Sequence, residues 1–142
     1  MKFLKFPYQP YPVEDPTTDK ITGEIFRPTI PVRLSYRHQF FKYPFDALVD
    51  SGSDRNLFPA DIGNVLKIRI KTKNPKIIEG IGKNKIIAYT HDITILVAGR
   101  RIKTFIDFSD EHPTPILGRI GFFNHFKKVI FDERAKEVLL GY

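Results

Sequence analysis

The sequence predicts a mainly β protein of one domain, with one or two short helices. Along most of the chain apolar residues recur at every second position, which is the period of a strand that buries one face. Apolar residues make up 42% of the 142 residues and include 13 Phe, so the chain can bury a core. A chain of this length suits one core rather than two.

The strand predictions follow this alternation in chain order. Residues 30–36 and 43–49 alternate on either side of a break at residues 37–39, which predicts a hairpin. A tight turn is expected at Gly99 and Arg100, between two later strands. The further strands are predicted at residues 67–71, 77–79, 85–98, 101–108, 129–132 and 137–140.

Only two stretches favour a helix, and both are short. Residues 59–66 begin with Pro59, which suits a first helical turn, and Asp61 lies near the positive N-terminal end. The second stretch is residues 119–126. Strands therefore dominate the prediction.

Residues 1–27 are predicted to form an irregular N-terminal arm that precedes the domain at residues 28–142. The recurrence of proline, at Pro7, Pro10 and Pro12 among others, is the basis for this prediction. The aromatic residues of the arm need a surface to pack on, and a partner protein is one source of that surface.

Composition excludes several classes of site. The chain has no cysteine, which excludes a disulfide scaffold, a thiolate zinc site, an iron–sulfur cluster and a cysteine nucleophile. The four histidines, His38, His91, His112 and His125, lack metal-ligand spacing. We therefore expect neither a metal nor a cofactor.

The chain is expected to be soluble and cytoplasmic, without a membrane partner. The longest uninterrupted apolar runs, residues 86–89 and 95–98, are far shorter than the roughly 20 residues that span a bilayer. Near the start, Lys5 and Pro7 interrupt the apolar residues before a signal-peptide core can form.

The residues that suit catalysis are Asp50-Ser51-Gly52-Ser53. An apolar strand delivers the carboxylate of Asp50 to its end, and Gly52 permits the tight turn that presents it. The hydroxyl groups of Ser51 and Ser53 and the Gly52 amide are suited to hold that carboxylate by hydrogen bonds. The alternative is an ordinary turn, the commonest use of these residue types.

Three motifs in order make the sequence similar to the retropepsin-like aspartic proteases, the single-domain family that includes the retroviral enzymes. Residues 50–53 resemble the family's Asp-Thr/Ser-Gly signature, preceded by the apolar residues 47–49. Residues 75–82 resemble its flap, and residues 115–119, Pro-Ile-Leu-Gly-Arg, resemble the motif that packs beside the catalytic loop. The resemblance covers most of the chain and implies a closed acid-protease β-barrel with a single lobe. Lys83 stands where a further flap glycine is common, and the N-terminal arm is longer than in the retroviral enzymes.

The resemblance implies an aspartic endopeptidase that acts on a peptide or protein substrate. This chemistry needs two carboxylates that share a proton, one as base and one as acid. The chain contains one Asp-Ser-Gly and is too short for two lobes, so a second Asp50 must come from a homodimer.

The resemblance also assigns roles to individual residues. Asp50, Ser51 and Gly52 are the catalytic candidates, with Ser51 hydrogen-bonded across the two-fold axis. Ser53 and the turn Gly80-Ile81-Gly82 are the substrate-binding candidates, the turn folding over the substrate backbone. Asp54 and Arg119 match the family's structural ion pair.

A basic stretch supports an alternative function. Residues 67–85 contain seven basic residues and one acidic residue, Glu79. The basic residues are Lys67, Arg69, Lys71, Lys73, Lys76, Lys83 and Lys85. They indicate a solvated face, a preference for acidic peptides or weak nucleic-acid affinity. The alternative is a non-catalytic binding module for an acidic protein or nucleic acid. The intact Asp50 favours the protease, because a retired active site has no reason to retain the carboxylate, and we do not expect a nucleic-acid partner.

Overall fold

The computed structural model describes residues 1–142, and strands are the main secondary-structure element of the chain. The strands are β1 (Phe3–Pro7), β2 (Gln9–Glu14), β3 (Ile21–Arg27), β4 (Thr29–Tyr36), β5 (Gln39–Phe40), β6 (Phe45–Val49), β7 (Leu57–Pro59), β8 (Lys76–Glu79), β9 (Lys85–Val97), β10 (Arg100–Ser109), β11 (Ile116–Leu117), β12 (Lys128–Asp132) and β13 (Glu137–Gly141). One α-helix, α1 (Ala60–Val65), and two single 3-10 turns, Ile81–Lys83 and Phe123–His125, complete the elements. The predicted mainly β class is confirmed.

Six of the strands close into a barrel. Their order is β4-β6-β11-β7-β10-β9, and β9 pairs again with β4 to close the ring. The strands alternate as predicted: Ile30, Val32 and Leu34 of β4 are buried, and their neighbours are more exposed. The single-lobe barrel expected from the three motifs is therefore present.

A second, three-stranded sheet packs against the barrel. Its order is β1-β13-β12, so both ends of the chain lie in it. Val138 and Leu140 of β13 are completely buried and belong to the same apolar cluster as Phe58, Phe108 and Phe122. This packing fixes the terminal sheet to the barrel through one continuous core.

The arm at residues 1–27 is not irregular, which corrects the prediction. Strand β1 pairs along its length with β13, and β2 pairs with β3 in a separate hairpin. Pro10 and Pro12 are two residues apart, so their missing N–H groups lie on one edge of β2, away from β3. Proline is tolerated on such an edge because no ladder bond is lost there.

Two shorter predictions also need correction. Residues 119–126 form only the turn Phe123–His125, because Gly121 has a φ of +105°, outside the helical region. Residues 67–71 pair with no strand; Ile68 and Ile70 alternate because they point into the core. The helix predicted at residues 59–66 is present as α1.

None of the helices has the length and apolar character needed to cross a lipid bilayer.

Candidate active site

The strand that carries the aspartate motif ends beside the strand of the Gly-Arg motif. Strands β6 and β11 run parallel, with Leu48 opposite Ile116 and Val49 opposite Leu117. Just beyond the strand end, the N–H of Asp50 donates to the carbonyl of Leu117 at 3.0 Å. Two motifs that are far apart in the sequence therefore meet at one point of the barrel.

The Asp50 carboxylate is oriented by its own loop and remains accessible. Its Oδ1 accepts a hydrogen bond from the Gly52 N–H at 2.9 Å, while its Oδ2 accepts none from this chain. A Cβ at position 52 would lie 3.2 Å from Oδ1, so a larger residue would press on the carboxylate. Asp50 is half-buried, and Ser51 and Gly52 are exposed. A carboxylate held in this way is free to meet water or a second acid through Oδ2.

The middle of the loop is fixed to the chain that follows β11. The N–H of Arg119 donates to the carbonyl of Ser53 at 2.9 Å, and the N–H of Ile120 donates to the carbonyl of Asp54 at 2.7 Å. The hydroxyl of Ser53 donates to the carbonyl of Arg55 at 2.8 Å. Ser53 thus uses its hydroxyl proton inside the loop.

The far end of the loop is buried and satisfied within the chain. Asn56 is completely buried; its Oδ1 accepts from the Gly118 N–H at 2.9 Å, and its Nδ2 donates to the Phe105 carbonyl at 3.0 Å. A Cβ on Gly118 would collide with the backbone of Arg55. Glycine in the Gly-Arg motif therefore permits close contact between two backbones.

An ion pair that was not predicted anchors this end of the loop. Arg55 forms two hydrogen bonds with Asp107, from Nε at 2.7 Å and from Nη2 at 3.1 Å. The Asp107 side chain is fully buried and also accepts from the Thr90 hydroxyl at 2.6 Å. The Arg55 guanidinium lies 4.1 Å from the ring centre of Phe105. A buried carboxylate needs such partners, since an unpaired charge there is costly.

The predicted ion pair between Asp54 and Arg119 does not form. The ion pairs of the structure are Arg55–Asp107, Lys71–Asp110 and Lys136–Glu133. Asp54 and Arg119 lie near each other, but both are exposed, and a solvated pair at a surface gains little. The arginine next to Asp54, Arg55, points inward instead because Asp107 has no water to solvate it.

A hairpin covers the cleft in which Asp50 lies. Strand β8 pairs with the start of β9 from Lys76 opposite Ala88 to Glu79 opposite Lys85, and we call this element the cleft hairpin (residues 76–88). It encloses, together with the loop at residues 50–56, a cleft of about 570 Å³. The lining includes Asp50, Gly52, Ser53, Asp54, Arg55, Lys76, Ile78, Gly80, Ile81, His112 and Ile116.

The turn of the cleft hairpin is the most open part of the site. The Gly80 N–H donates to the Asn84 carbonyl at 2.8 Å, and Ile81 is completely exposed. Gly82 and Lys83 both have positive φ, +81° and +62°, so the glycine that the motif commonly has in place of lysine would suit this backbone. Gly80 and Ile81 line the cleft with Asp50, whereas Gly82 does not.

His112 lies in the cleft wall and was not selected from the sequence as a site residue. Its Nε2 is buried and has no hydrogen-bond partner. Burial lowers the pKa of this imidazole, because the charged form is poorly solvated. In the sequence, His112 precedes the Pro-Ile-Leu-Gly-Arg motif closely, which is the only signal that could have identified it.

A larger concavity, of about 840 Å³, lies over β9 and β10 between His91, Asp92, Lys103 and Ser35. It contains none of the residues of the three motifs. The smaller cleft is therefore the candidate site, because it contains the Asp50 carboxylate and the larger concavity contains no residue of the three motifs.

The fold is similar to that of a solved retroviral protease. The EIAV protease, solved in complex with the inhibitor HBY-793, is 31% identical to this chain and superposes with a TM-score of 0.53. The match covers 66% of this chain and 82% of that chain. No protein-family model matches the sequence, and no curated protein matches it either. By this likeness the chain belongs to the retropepsin-like fold family.

Proposed function

We propose that this protein is an aspartic endopeptidase that hydrolyses peptide bonds as a homodimer. The observation that carries the proposal is the Asp50 carboxylate, oriented by the Gly52 N–H at 2.9 Å on the floor of a cleft of about 570 Å³. The fold shared with the EIAV protease supports the same reaction class. In this proposal an extended peptide lies in the cleft beneath Gly80 and Ile81, which line it.

The proposed mechanism uses two Asp50 carboxyl groups, one from each copy and only one of them protonated. The ionised carboxylate removes a proton from a water molecule, whose oxygen attacks the peptide carbonyl carbon. The protonated carboxyl gives its proton to the carbonyl oxygen, which yields a diol. The diol then returns a proton to one carboxylate while the other acid protonates the amine, and the C–N bond breaks.

The other site residues take supporting roles in this proposal. The exposed hydroxyl of Ser51 hydrogen-bonds the loop of the second copy. The Gly52 N–H keeps Asp50 oriented, and the turn at Gly80 and Ile81 covers the substrate backbone. Excluding water in this way strengthens every electrostatic interaction with the reacting carbonyl.

The test is cleavage of a peptide library, followed by mass spectrometry, with the parent and the Asp50→Asn variant. The proposal predicts cleavage by the parent at acid to neutral pH and none by Asp50→Asn. Asp46→Asn is the matched control, since Asp46 is an exposed aspartate of the same strand, β6. If Asp50→Asn cleaves at the parent's rate, the protein is not an aspartic protease.

A second candidate function is a binding module that does not cleave. The observation behind it is the exposure of the basic stretch: the Lys71 side chain is 74% exposed and meets Asp110 only at 3.9 Å. Such a module would bind an acidic protein or nucleic acid with strong salt dependence. The same library separates the two candidates, because a module of this kind retains acidic peptides intact and is indifferent to Asp50→Asn.

A further inference from the structure

The hairpin of β2 and β3 has no partner within its own chain. These two strands pair only with each other, and every residue of β2 is exposed. The exposed apolar side chains are Tyr11 (49%), Val13 (37%), Ile21 (69%), Ile25 (45%) and Phe26 (47%). Tyr11, Val13 and Ile25 share one face of the hairpin, and Phe26 lies on the other. An isolated two-stranded hairpin is marginally stable in water, and exposed apolar side chains grouped on one face mark an interaction surface.

The base of this hairpin lies beside the catalytic loop. Strand β3 ends at Arg27, and the carbonyl of the next residue, Pro28, accepts a hydrogen bond from the Val49 N–H at 2.9 Å. Val49 immediately precedes Asp50. A second copy that brings its own Asp50 to this one must therefore lie close to where the hairpin leaves the barrel.

A concavity of about 550 Å³ lies on the other side of the catalytic loop and shares Asp54 with the cleft. Its apolar residues are Ile120, which is 51% exposed, Phe123, Phe126 and Val129. Phe123, Phe126 and Val129 are half-buried against the core, so Ile120 is the exposed apolar side chain of the concavity. The concavity adjoins the face on which a second Asp50 must arrive.

The charges of the two surfaces are complementary. The concavity is lined by Arg119, Lys127 and Lys128 against Asp54 alone. From Gln9 to Arg27 the hairpin carries four acidic residues, Glu14, Asp15, Asp19 and Glu24, against two basic residues, Lys20 and Arg27. The hairpin is therefore acidic and the concavity basic. Arg119 and Asp54 form no ion pair within the chain, so both remain available to a partner.

We propose that the β2–β3 hairpin is a dimerisation arm that packs into this concavity on a second copy of the chain. By two-fold symmetry each copy gives one arm and receives one, and the contact brings the two catalytic loops together. The inference rests on the proposed function, because that function is what requires a second copy at this face.

The experiment measures the dimer dissociation constant by sedimentation for a set of serine variants. Tyr11→Ser with Ile25→Ser alters the arm, because these two side chains lie opposite each other on one face of the hairpin. Ile120→Ser alters the concavity, and Val65→Ser, which is 49% exposed at the end of α1, is the control. Thermal unfolding at high protein concentration verifies that each variant folds.

We expect the arm and concavity variants each to raise the dissociation constant by roughly tenfold or more, and Val65→Ser to leave it unchanged. Combining the two alterations should raise it by less than the product of the separate effects, because both remove the same contact. At protein concentrations high enough to restore the dimer, the arm variant should regain the parent's cleavage rate per chain.

Unchanged dissociation constants in folded arm variants would overturn this inference. Variants that keep the dimer but lose peptide binding would also overturn it, by showing that the arm holds substrate. The proposed function fails on a different result, cleavage that is indifferent to Asp50→Asn. The two failures are therefore distinguishable.

Discussion

The two ends of the loop at residues 50–56 differ in whether their polar groups find hydrogen-bond partners within the chain. At one end, Asn56 and the ion pair Arg55–Asp107 are buried and have their hydrogen bonds within the chain. At the other end, the Asp50 carboxylate accepts one hydrogen bond, from the Gly52 N–H, and its Oδ2 has no partner within the chain. The buried end stabilises the fold of the single chain. The exposed end leaves Oδ2 of Asp50 accessible to water, substrate or a second copy. In this loop, the carboxylate that suits chemistry, Asp50, keeps an oxygen that has no partner in the chain.

The largest effect is expected from breaking the buried end. Arg55→Ala leaves the fully buried Asp107 carboxylate with only Thr90 as a charge-stabilising side chain, which should lower the free energy of unfolding by about 3–5 kcal/mol. Urea unfolding measures this loss. The control is Lys71→Ala, whose pair with Asp110 is long and exposed and should contribute less than about 1 kcal/mol. An equal loss of unfolding free energy in the two variants would show that the Arg55–Asp107 pair stabilises the fold no more than an exposed ion pair does.

The close contact at Gly118 should be the next most sensitive point. Gly118→Ala places a Cβ against the Arg55 backbone, and the resulting strain should lower the free energy of unfolding by about 1–3 kcal/mol. The control is Gly23→Ala, because nothing lies within 4 Å of a Cβ at that position. Gly23→Ala should stay within about 0.5 kcal/mol of the parent. A tolerated Gly118→Ala would mean that the loop can move away from β11 at little cost.

The smallest effect concerns the terminal sheet, where Tyr8 donates to Glu133 at 2.8 Å. Burial, together with the bond to Glu133, raises the pKa of Tyr8 from 10.0 to about 12. Because the folded pKa is the higher one, this stabilisation is complete below pH 10 and is lost as pH rises towards 12.

Comparison of the parent with Tyr8→Phe isolates this contribution. At neutral pH the variant should unfold with a free energy lower by about 0.5–1.5 kcal/mol, the usual contribution of one hydrogen bond. The difference between the two proteins should narrow between pH 10 and pH 12. A difference that is constant across this range would contradict the assignment.

The same contrast explains which parts of the site could be predicted. Asp50, Gly52 and Gly118 lie in local motifs, where a turn or a close backbone contact restricts the residue type. Asp50 and Gly52 were therefore selected from the sequence as candidates, and Gly118 was selected through the family resemblance. Asp107 belongs to no motif; its only signal is an acidic residue inside the apolar alternation of residues 102–108. Its partner, Arg55, lies far away in the sequence, and the fold alone brings the two together.

The fold was predicted well where apolar residues at every second position mark a strand with one buried face, and less well elsewhere. The strands of the barrel follow the period of two because one face is buried against a common core. The β2–β3 hairpin is exposed on both faces, so no alternation marks it, and its prolines suggested irregular structure. In residues 67–71 the same alternation occurs without a strand. Ile68 and Ile70 are buried in the core, but this segment pairs with no strand.

In the proposed function a second copy of the chain supplies the second Asp50 carboxyl group of the site. The most direct test mixes parent chains with increasing amounts of Asp50→Asn chains, under conditions in which mass spectrometry shows that subunits exchange. If catalysis needs one Asp50 from each copy, a roughly tenfold excess of the variant should lower cleavage per parent chain to about a tenth. Cleavage per parent chain that does not change with added Asp50→Asn would contradict the account, because one chain would then suffice.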